Sequence, residues 1–473
     1  MQPRSYWYAR LLFERALAAV YLVAFISTAN QFVPLLGERG LLPVPRFTAS
    51  IPFRDAPSLF YLFPSDQTFR GAAWLGVALA VLVLSGLPQR LGTWAAAVVW
   101  ALLWLLYLSF VNVGQIFYGF GWEILLLETG FLAIFLGGWS TEPSTIVMFL
   151  LRWVLFRIMF GAGLIKLRGD ACWRNFTCLD YYFETQPIPN PLSWYFHWLP
   201  DGVHHAGVFI NHFAEIVVPA ALFLPQPVAA IAALVTIVFQ LVLIVSGNLS
   251  WLNWLTIVLA LAAFDDRWLS WVPARRPELH RPTASRRVAV YALAVLVALL
   301  SVGPVVNLLS SEQVMNTSFE PLHLVNTYGA FGTVTRERDE IVVEGTDATS
   351  LTDQTVWREY EFKGKPSDPF RRPAQIAPYH LRLDWLMWFA AMEPVEAHAD
   401  WFDPFVVKLL QGDRETLALL QHNPFPEHPP RFVRAELFRY TFTTPEERRT
   451  NGRWWNREPK GRLYLPPVSL GPQ

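Results

Sequence analysis

Ionisable residues stand inside apolar runs of this sequence, and their types and spacing define the chemistry they could carry. Glu123 and Glu128 fall in one run, Arg152 and Arg157 in the next, and Lys166 closes the latter. Charges in hydrocarbon are costly, so such groups pair with one another, line a cavity or relay protons. An antiparallel hairpin folded about position 140 sets Glu128 level with Arg152 and Glu123 level with Arg157. Pairing that merely permits burial is one reading; transport or catalysis is the other. Lys166, with Arg168 behind it, either snorkels to the membrane interface or sits buried with a lowered pKa and handles protons. His204, His205, His212 and Glu215 gather at the start of a later run. His212 and Glu215 are one helical turn apart. A hydrogen bond between them, orienting the adjacent loop, is expected ahead of metal binding, which needs three or four convergent ligands.

The 2 cysteines, Cys172 and Cys178, lie in the polar, densely patterned stretch 161–192. Their separation departs from Cys-x-x-Cys, which argues against a thioredoxin-like redox pair. A disulfide between them would close a small loop around Trp173 and Arg174; two reduced thiols are the alternative. Beyond it, Pro187, Pro189 and Pro191 alternate, fixing an extended course that cannot be helical. The aromatic run from Trp194 to Trp198 follows, either a belt anchoring the loop at headgroup level or a surface that touches a protein or lipid.

These residues need elements to hold them. Hydrophobic residues make up 53% of the 473-residue chain and charged residues 16%, the composition of a membrane protein. Apolar runs long enough for about 30 Å of hydrocarbon lie near 12–36, 71–87, 92–112, 119–138, 144–166, 207–224, 228–246, 251–264 and 288–309. The expected architecture is a polytopic helical bundle of about nine spans over 1–310, followed by a soluble, β-sandwich-like domain with a few helices over 311–473. The first run follows Arg4, Arg10 and Arg15 and lacks a small-residue cleavage site, so it is expected to be retained. Short cytoplasmic loops collect arginine, and 265–287 holds Arg267, Arg275, Arg276, Arg281, Arg286 and Arg287. That segment and the N-terminus are therefore expected inside, with loop 167–206 and the C-terminal region outside. Outside means the periplasm for a bacterial inner-membrane protein and the lumen for one of the endoplasmic reticulum, both of which favour a disulfide. A net charge of 0 leaves no electrostatic footprint for nucleic acid.

In the C-terminal region 340–344, 356–363 and 431–442 read as strands, and 383–392 and 404–420 as helices, the second broken by Gly412. No Gly-x-Ser-x-Gly elbow, phosphate loop or paired catalytic acids occur, and no catalytic residue, cofactor or metal is assigned. His380, Arg382 and Asp384 could form a catalytic set, but alternation with Leu381 and Leu383 suggests a polar side beside an apolar one.

From Gly163 the sequence runs Gly-Leu-Ile-Lys-Leu-Arg-Gly-Asp-Ala-Cys-Trp-Arg, and from Thr177 Thr-Cys-Leu-Asp-Tyr-Tyr-Phe-Glu-Thr-Gln-Pro-Ile-Pro-Asn-Pro. With Asn211-His-Phe-Ala-Glu215, Val245-Ser-Gly-Asn-Leu-Ser-Trp251, Leu324-Val-Asn-Thr-Tyr-Gly329, Arg382-Leu-Asp-Trp-Leu-Met-Trp388 and Pro429-Pro-Arg-Phe-Val-Arg-Ala435, it resembles the lipase maturation factor family, over 120–470. Residues 1–70 match only loosely. The resemblance implies a multi-spanning chaperone or assembly factor, placed in the endoplasmic reticulum membrane in animals, that helps secreted lipases reach an active, assembled state. The implied partners are a secreted lipase or other exported client and the lipid bilayer, and no catalytic residue is implied. Trp173, Arg174, Tyr181, Tyr182, Glu184, Gln186, Pro187 and Pro189 are then the expected client-facing loop. The competing class is a membrane enzyme or transporter acting on a lipid-like small molecule, distantly similar to vitamin K-dependent carboxylases, using Lys166, Arg157, Glu123 or His212.

Overall fold

The computed structural model describes residues 5–471, so Arg4 lies outside the described residues. The bundle comprises α1 (Trp7–Leu36), α2 (Asp66–Ser85), α3 (Thr93–Val113), α4 (Gly121–Ala133), α5 (Thr145–Arg168), α6 (Asp201–His212), α7 (Val228–Ser246), α8 (Leu252–Ala260) and α9 (Ala284–Leu300), which Val302–Leu309 extends. Among the described residues 6 helices are long and apolar enough to cross a membrane: α1, α2, α3, α5, α7 and α9 with its extension. The chain is an integral membrane protein. The expected count of about nine crossings is not confirmed. Helix α4 has 13 residues, about 20 Å of length, and α8 has 9. Helix α6 runs into a π turn at Phe213–Val217 before a last turn at Val218–Ala221.

Helix ends follow local chemistry. The Ser65 side chain accepts from the Thr68 amide to start α2, and Gly86 ends it at φ 73°, a left-handed conformation that glycine adopts without a Cβ clash. Ser144 caps α5 through the Val147 amide. Helix α1 packs into the bundle's core, with Tyr21 and Phe25 edge-on against Tyr107 of α3. Against α4 the approach is closer still. A Cβ on Gly130 would lie 1.9 Å from the Tyr21 hydroxyl oxygen, and that hydroxyl donates to the Leu126 carbonyl at 3.2 Å.

The C-terminal region holds one 4-stranded antiparallel sheet, ordered β2-β1-β3-β4: β1 (Arg338–Thr346), β2 (Arg358–Glu359), β3 (Phe432–Phe442) and β4 (Trp455–Val468). Side chains alternate across a strand, and both faces of this sheet are covered. Ile341, Val343, Val433 and Ala435 join the main core with Phe402 and Phe405, while Val342, Tyr440, Phe442 and Trp455 pack with Trp194 of the 167–206 loop. The expected β-sandwich is therefore corrected to a single sheet among the described residues: α10 (Arg382–Ala390) and α11 (Ala399–Leu410) cover one face and the membrane-side loop the other. Within the expected 404–420, α11 ends before Gly412, which breaks the helix at φ 63° as expected, and a further helical turn follows at Arg414–Leu417.

Gly130→Ala tests the α1–α4 contact. Overpacking at a buried site costs about 1–3 kcal/mol, so the variant in lipid nanodiscs should unfold at lower temperature. Tyr21→Phe in the same background should recover part of the loss by removing the clashing oxygen; no recovery would place the strain elsewhere.

Candidate functional site

Helix α5 delivers the chain directly into the cysteine loop. The Asp170 amide donates to the Gly332 carbonyl at 2.8 Å, and the Asp170 carboxylate accepts from the Cys172 amide at 3.1 Å. Arg336 donates to both carboxylate oxygens at 2.8 Å, which holds the Asp170 carboxyl well below the usual carboxylate range. Cys172 and Cys178 form a disulfide, buried in a small core with Trp173, Tyr182, Phe183 and Val208. The Trp173 indole donates to the Phe331 carbonyl at 2.8 Å. Arg174 is exposed and donates back to the Leu167 and Gly169 carbonyls at 2.8 and 3.0 Å, closing the last turn of α5.

The proline strap lies against the sheet. Having no N–H of its own at each proline, it presents carbonyls, and Arg338 of β1 meets them: it donates to Glu184 and Pro187 carbonyls at 3.0 Å and also to that of Gln186. Glu340 accepts from the same guanidinium at 2.8 Å and pairs with Lys365 at 2.8 Å. Asn248, after α7, donates to the Pro189 carbonyl at 3.2 Å and accepts from the Ile376 and Ala377 amides at 2.8 and 2.9 Å. One side chain thus ties strap, bundle and C-terminal region together. The Trp194 indole donates to the Thr443 carbonyl at 2.7 Å, and Glu184 accepts from the Phe442 amide at 2.5 Å. Burial pushes the Glu184 carboxyl up to about 7 and His197, 3.9 Å away, down to about 4.

Glu123 and Glu128 are both paired, in a different register from the expected one, and Arg152 is in no ion pair among the described residues. Glu128 pairs with Arg157, not Arg152, and also accepts from the Asn326 amide at 3.1 Å and the Tyr328 hydroxyl at 2.7 Å. Helical side chains lean toward their own N-terminus. In this antiparallel pair Glu128 and Arg157 therefore lean toward each other across the offset that separates their backbones. Arg152, on the same helix and level with Glu128, leans in the same direction as Arg157 and so away from Glu128, donating to the Ala262 carbonyl at 2.9 Å and the Tyr6 hydroxyl at 3.0 Å. Glu123 meets Arg382 at 2.7 Å, not Arg157, and accepts a hydrogen bond from Tyr107. Arg382 stacks over Tyr118 with its guanidinium 3.5 Å from the ring centre.

Lys166 does not snorkel. It is buried, its ammonium 2.6 Å from Glu215 and 3.2 Å from the Asn211 side-chain oxygen. Glu215 sits on the π turn, a bulge of the kind that re-aims side chains within a helix. The expected His212–Glu215 bond is absent: the His212 imidazole faces the Trp173 carbonyl at 3.0 Å, so it still orients the loop. His204 contacts Asp180 at 3.1 Å and the Phe196 carbonyl at 2.9 Å, while His205 is exposed. His380, Arg382 and Asp384 diverge into separate structural roles. Asp384 accepts from the Gly364 and Lys365 amides at 2.6 and 3.0 Å, and His380, pushed down to about 4 by burial, accepts from Trp122.

Of the expected client-facing residues, Arg174 is exposed and Tyr181 half-buried beneath Arg336, but Trp173, Tyr182, Glu184, Gln186, Pro187 and Pro189 are buried. Their polar groups and rings face the sheet and the bundle, so they build the loop's interior. Its outer surface is made by Arg174, Phe176, Leu192, Tyr195 and Trp198. Arg338, Asn326, Tyr328 and Asn248 were not anticipated as partners. Their only signal in the sequence is a polar residue within an otherwise apolar or alternating segment.

The family model described as "Lipase maturation factor transmembrane domain" matches residues 8–271, and "Lipase maturation factor C-terminal domain" matches 324–466. Lipase maturation factor 1 of Homo sapiens is 46% identical over 98% of this chain and 88% of the relative. Lipase maturation factor 1 of Mus musculus is 44% identical over the same shares, 98% and 88%. Lipase maturation factor 2 of Xenopus tropicalis is 29% identical over 98% of this chain and 82% of the relative. No solved structure matches the chain.

Two measurements probe this site. Arg382→Met strands the Glu123 charge in a dry interior, which costs about 3–5 kcal/mol, whereas Glu123→Gln with Arg382→Met should recover most of that loss in thermal unfolding. Simple additivity of the two changes would show that they do not interact. The second is a pH scan. Because Glu184 has its carboxyl raised from 4.5 to about 7 in the folded chain, its contribution is complete below about pH 4.5 and is lost as pH rises through 7. Hydrogen exchange at the Phe442 amide should therefore quicken from pH 5 to 8 beyond its intrinsic pH dependence, and Glu184→Gln should flatten that excess while keeping the acceptor.

Proposed function

Because the chain belongs to the lipase maturation factor family, we propose that it is a membrane-embedded chaperone or assembly factor for a secreted lipase or related exported protein. Its working surface is built jointly by loop 167–206 and the C-terminal sheet. The observation that carries this reading is the attachment of the loop to β1 and β3 through Arg338, Glu184 and Trp194. A disulfide-closed loop held in this way presents Phe176, Tyr195 and Trp198 as preorganised aromatic contacts, which lowers the entropic cost of gripping a partially folded client. The pairing of Glu123 with Arg382, Glu128 with Arg157 and Glu215 with Lys166 supports a scaffold role over chemistry at these charges inside the bundle.

The disulfide favours an oxidising compartment for this surface, and the arginine-rich segment 265–287 favours the cytoplasmic side for the opposite end. In a bacterium the surface faces the periplasm; in an animal cell it faces the lumen of the endoplasmic reticulum. A surface of exposed aromatics fits a client that has not yet buried its own apolar surface.

Co-expression of the full chain with a secreted lipase, in cells without a maturation factor of their own, should raise lipase activity per unit of secreted lipase protein. Phe176→Ser with Tyr195→Ser removes two exposed rings whose side chains make no hydrogen bond among the described residues, their aromatic contacts within the chain being those with His212, Trp194 and Trp454. At about 1 kcal/mol apiece, their loss should weaken the client interaction by about thirtyfold, with the variant's membrane abundance unchanged. Unaltered lipase specific activity with the wild-type chain would overturn the proposal.

A further inference from the structure

At the end of the bundle opposite the cysteine loop lies a cavity of about 500 Å³ between the start of α5 and the start of α9. Arg276, Arg281, Arg286 and Arg287 line it. The wall is built rather than draped. The Glu142 amide donates to the His280 carbonyl at 3.0 Å and the His280 amide to the Ser140 carbonyl at 2.8 Å, so the arginine segment is stitched to the α4–α5 turn. Arg286 is anchored by the Leu136 carbonyl at 2.7 Å, and Arg276 is partly neutralised by Asp266 at 3.2 Å. The side chains of Arg281 and Arg287, both exposed, make no ion pair or hydrogen bond among the described residues.

The rest of the lining completes a polar-to-apolar gradient. Thr145 and Ile146 open the 24-residue helix α5, whose first amides lack partners within the helix and carry the positive end of its dipole. On the other side, Val290 and Tyr291 of α9 line the cavity. Tyr291 leads onto an apolar strip of the same helix, Val288, Val295 and Leu299, that the fold leaves exposed along a membrane-crossing element. Glu142 is the one acidic residue in the lining. It stands against four guanidinium groups, so the balance of charge still favours an anion.

We infer that this cavity seats the phosphate group of an anionic phospholipid, with Arg281 and Arg287 as the open ligands and the acyl chains along the exposed face of α9. Guanidinium forks suit phosphate oxygens, and basic pockets between transmembrane helices bind lipid phosphates. A free phosphate would use the same arginines but would have no need of the apolar strip, which favours the lipid source.

The test uses the full chain, purified in detergent and exchanged into nanodiscs of phosphatidylcholine with or without phosphatidylglycerol. Bound lipid is read by native mass spectrometry. Arg281→Gln with Arg287→Gln should lower phosphatidylglycerol retention about thirtyfold, each basic residue near the surface contributing roughly fivefold. Arg39→Gln with Arg275→Gln, which removes the same charge from exposed positions outside the lining, should leave retention unchanged. Equal loss in both double variants, or loss in neither, would overturn the site and leave the arginines as determinants of topology only. Inorganic phosphate that displaces phosphatidylglycerol and stabilises the chain in plain phosphatidylcholine to the same extent would overturn the lipid assignment.

Discussion

Glu123 and Glu128 cannot be solvated where they stand, and much of the architecture follows from meeting that demand. Both lie on the short helix α4 and both are essentially inaccessible. A carboxylate taken out of water costs several kcal/mol unless a cation and hydrogen-bond donors replace its hydration shell. Neither shell is completed within the bundle. Glu128 takes Arg157 from α5 but also the amide and side chain of Asn326 and the hydroxyl of Tyr328; Glu123 takes Tyr107 from α3 but Arg382 from the start of α10. The chain beyond the last membrane helix is thus a structural ligand of the helices, and the two parts cannot separate without exposing charge in a low-dielectric interior.

The same logic shapes the loop. A strap rich in proline offers carbonyls and few amides, so it needs donors from elsewhere, and Arg338 with Asn248 supplies them. The disulfide restricts the loop's own freedom, while Arg336 on Asp170 and the Trp173 indole on Phe331 attach it to the segment leading into β1. What reaches the surface is Arg174 and a set of aromatic and aliphatic side chains on a stiff support. That arrangement suits the family's role better than a flexible arm would, because a preorganised surface spends little of its contact energy on ordering itself.

Much of the helical part is readable in the sequence, since apolar runs near 92–112, 144–166 and 228–246 correspond closely to α3, α5 and α7. The run at 119–138 was also found, but hydropathy does not reveal that Gly121–Ala133 is too short to cross on its own. In the C-terminal region the strand 431–442 reads clearly because its side chains alternate. Strand β4 does not, because Pro459, Gly461, Pro466 and Pro467 interrupt the pattern and resemble a loop. Only pairing with β3, with its shifts in register, makes an extended ladder of it. The loop residues that looked like a display are interior for a similar reason: composition tells which groups are polar, not which of them will find partners.

By itself the sequence determined the membrane class, the positions of the long helices, the closeness of the 2 cysteines, the extended strap and the family. These are local properties of spacing, hydropathy and backbone restriction, and a one-dimensional pattern carries them. The tertiary structure decided which charge meets which, that Lys166 is buried against Glu215, that one sheet suffices, and that the loop is fastened to it. Each of those depends on side-chain direction and on segments hundreds of residues apart, such as Glu123 and Arg382, arriving at the same dry place. No period in the chain encodes that meeting; the cost of leaving either charge alone is what selects it.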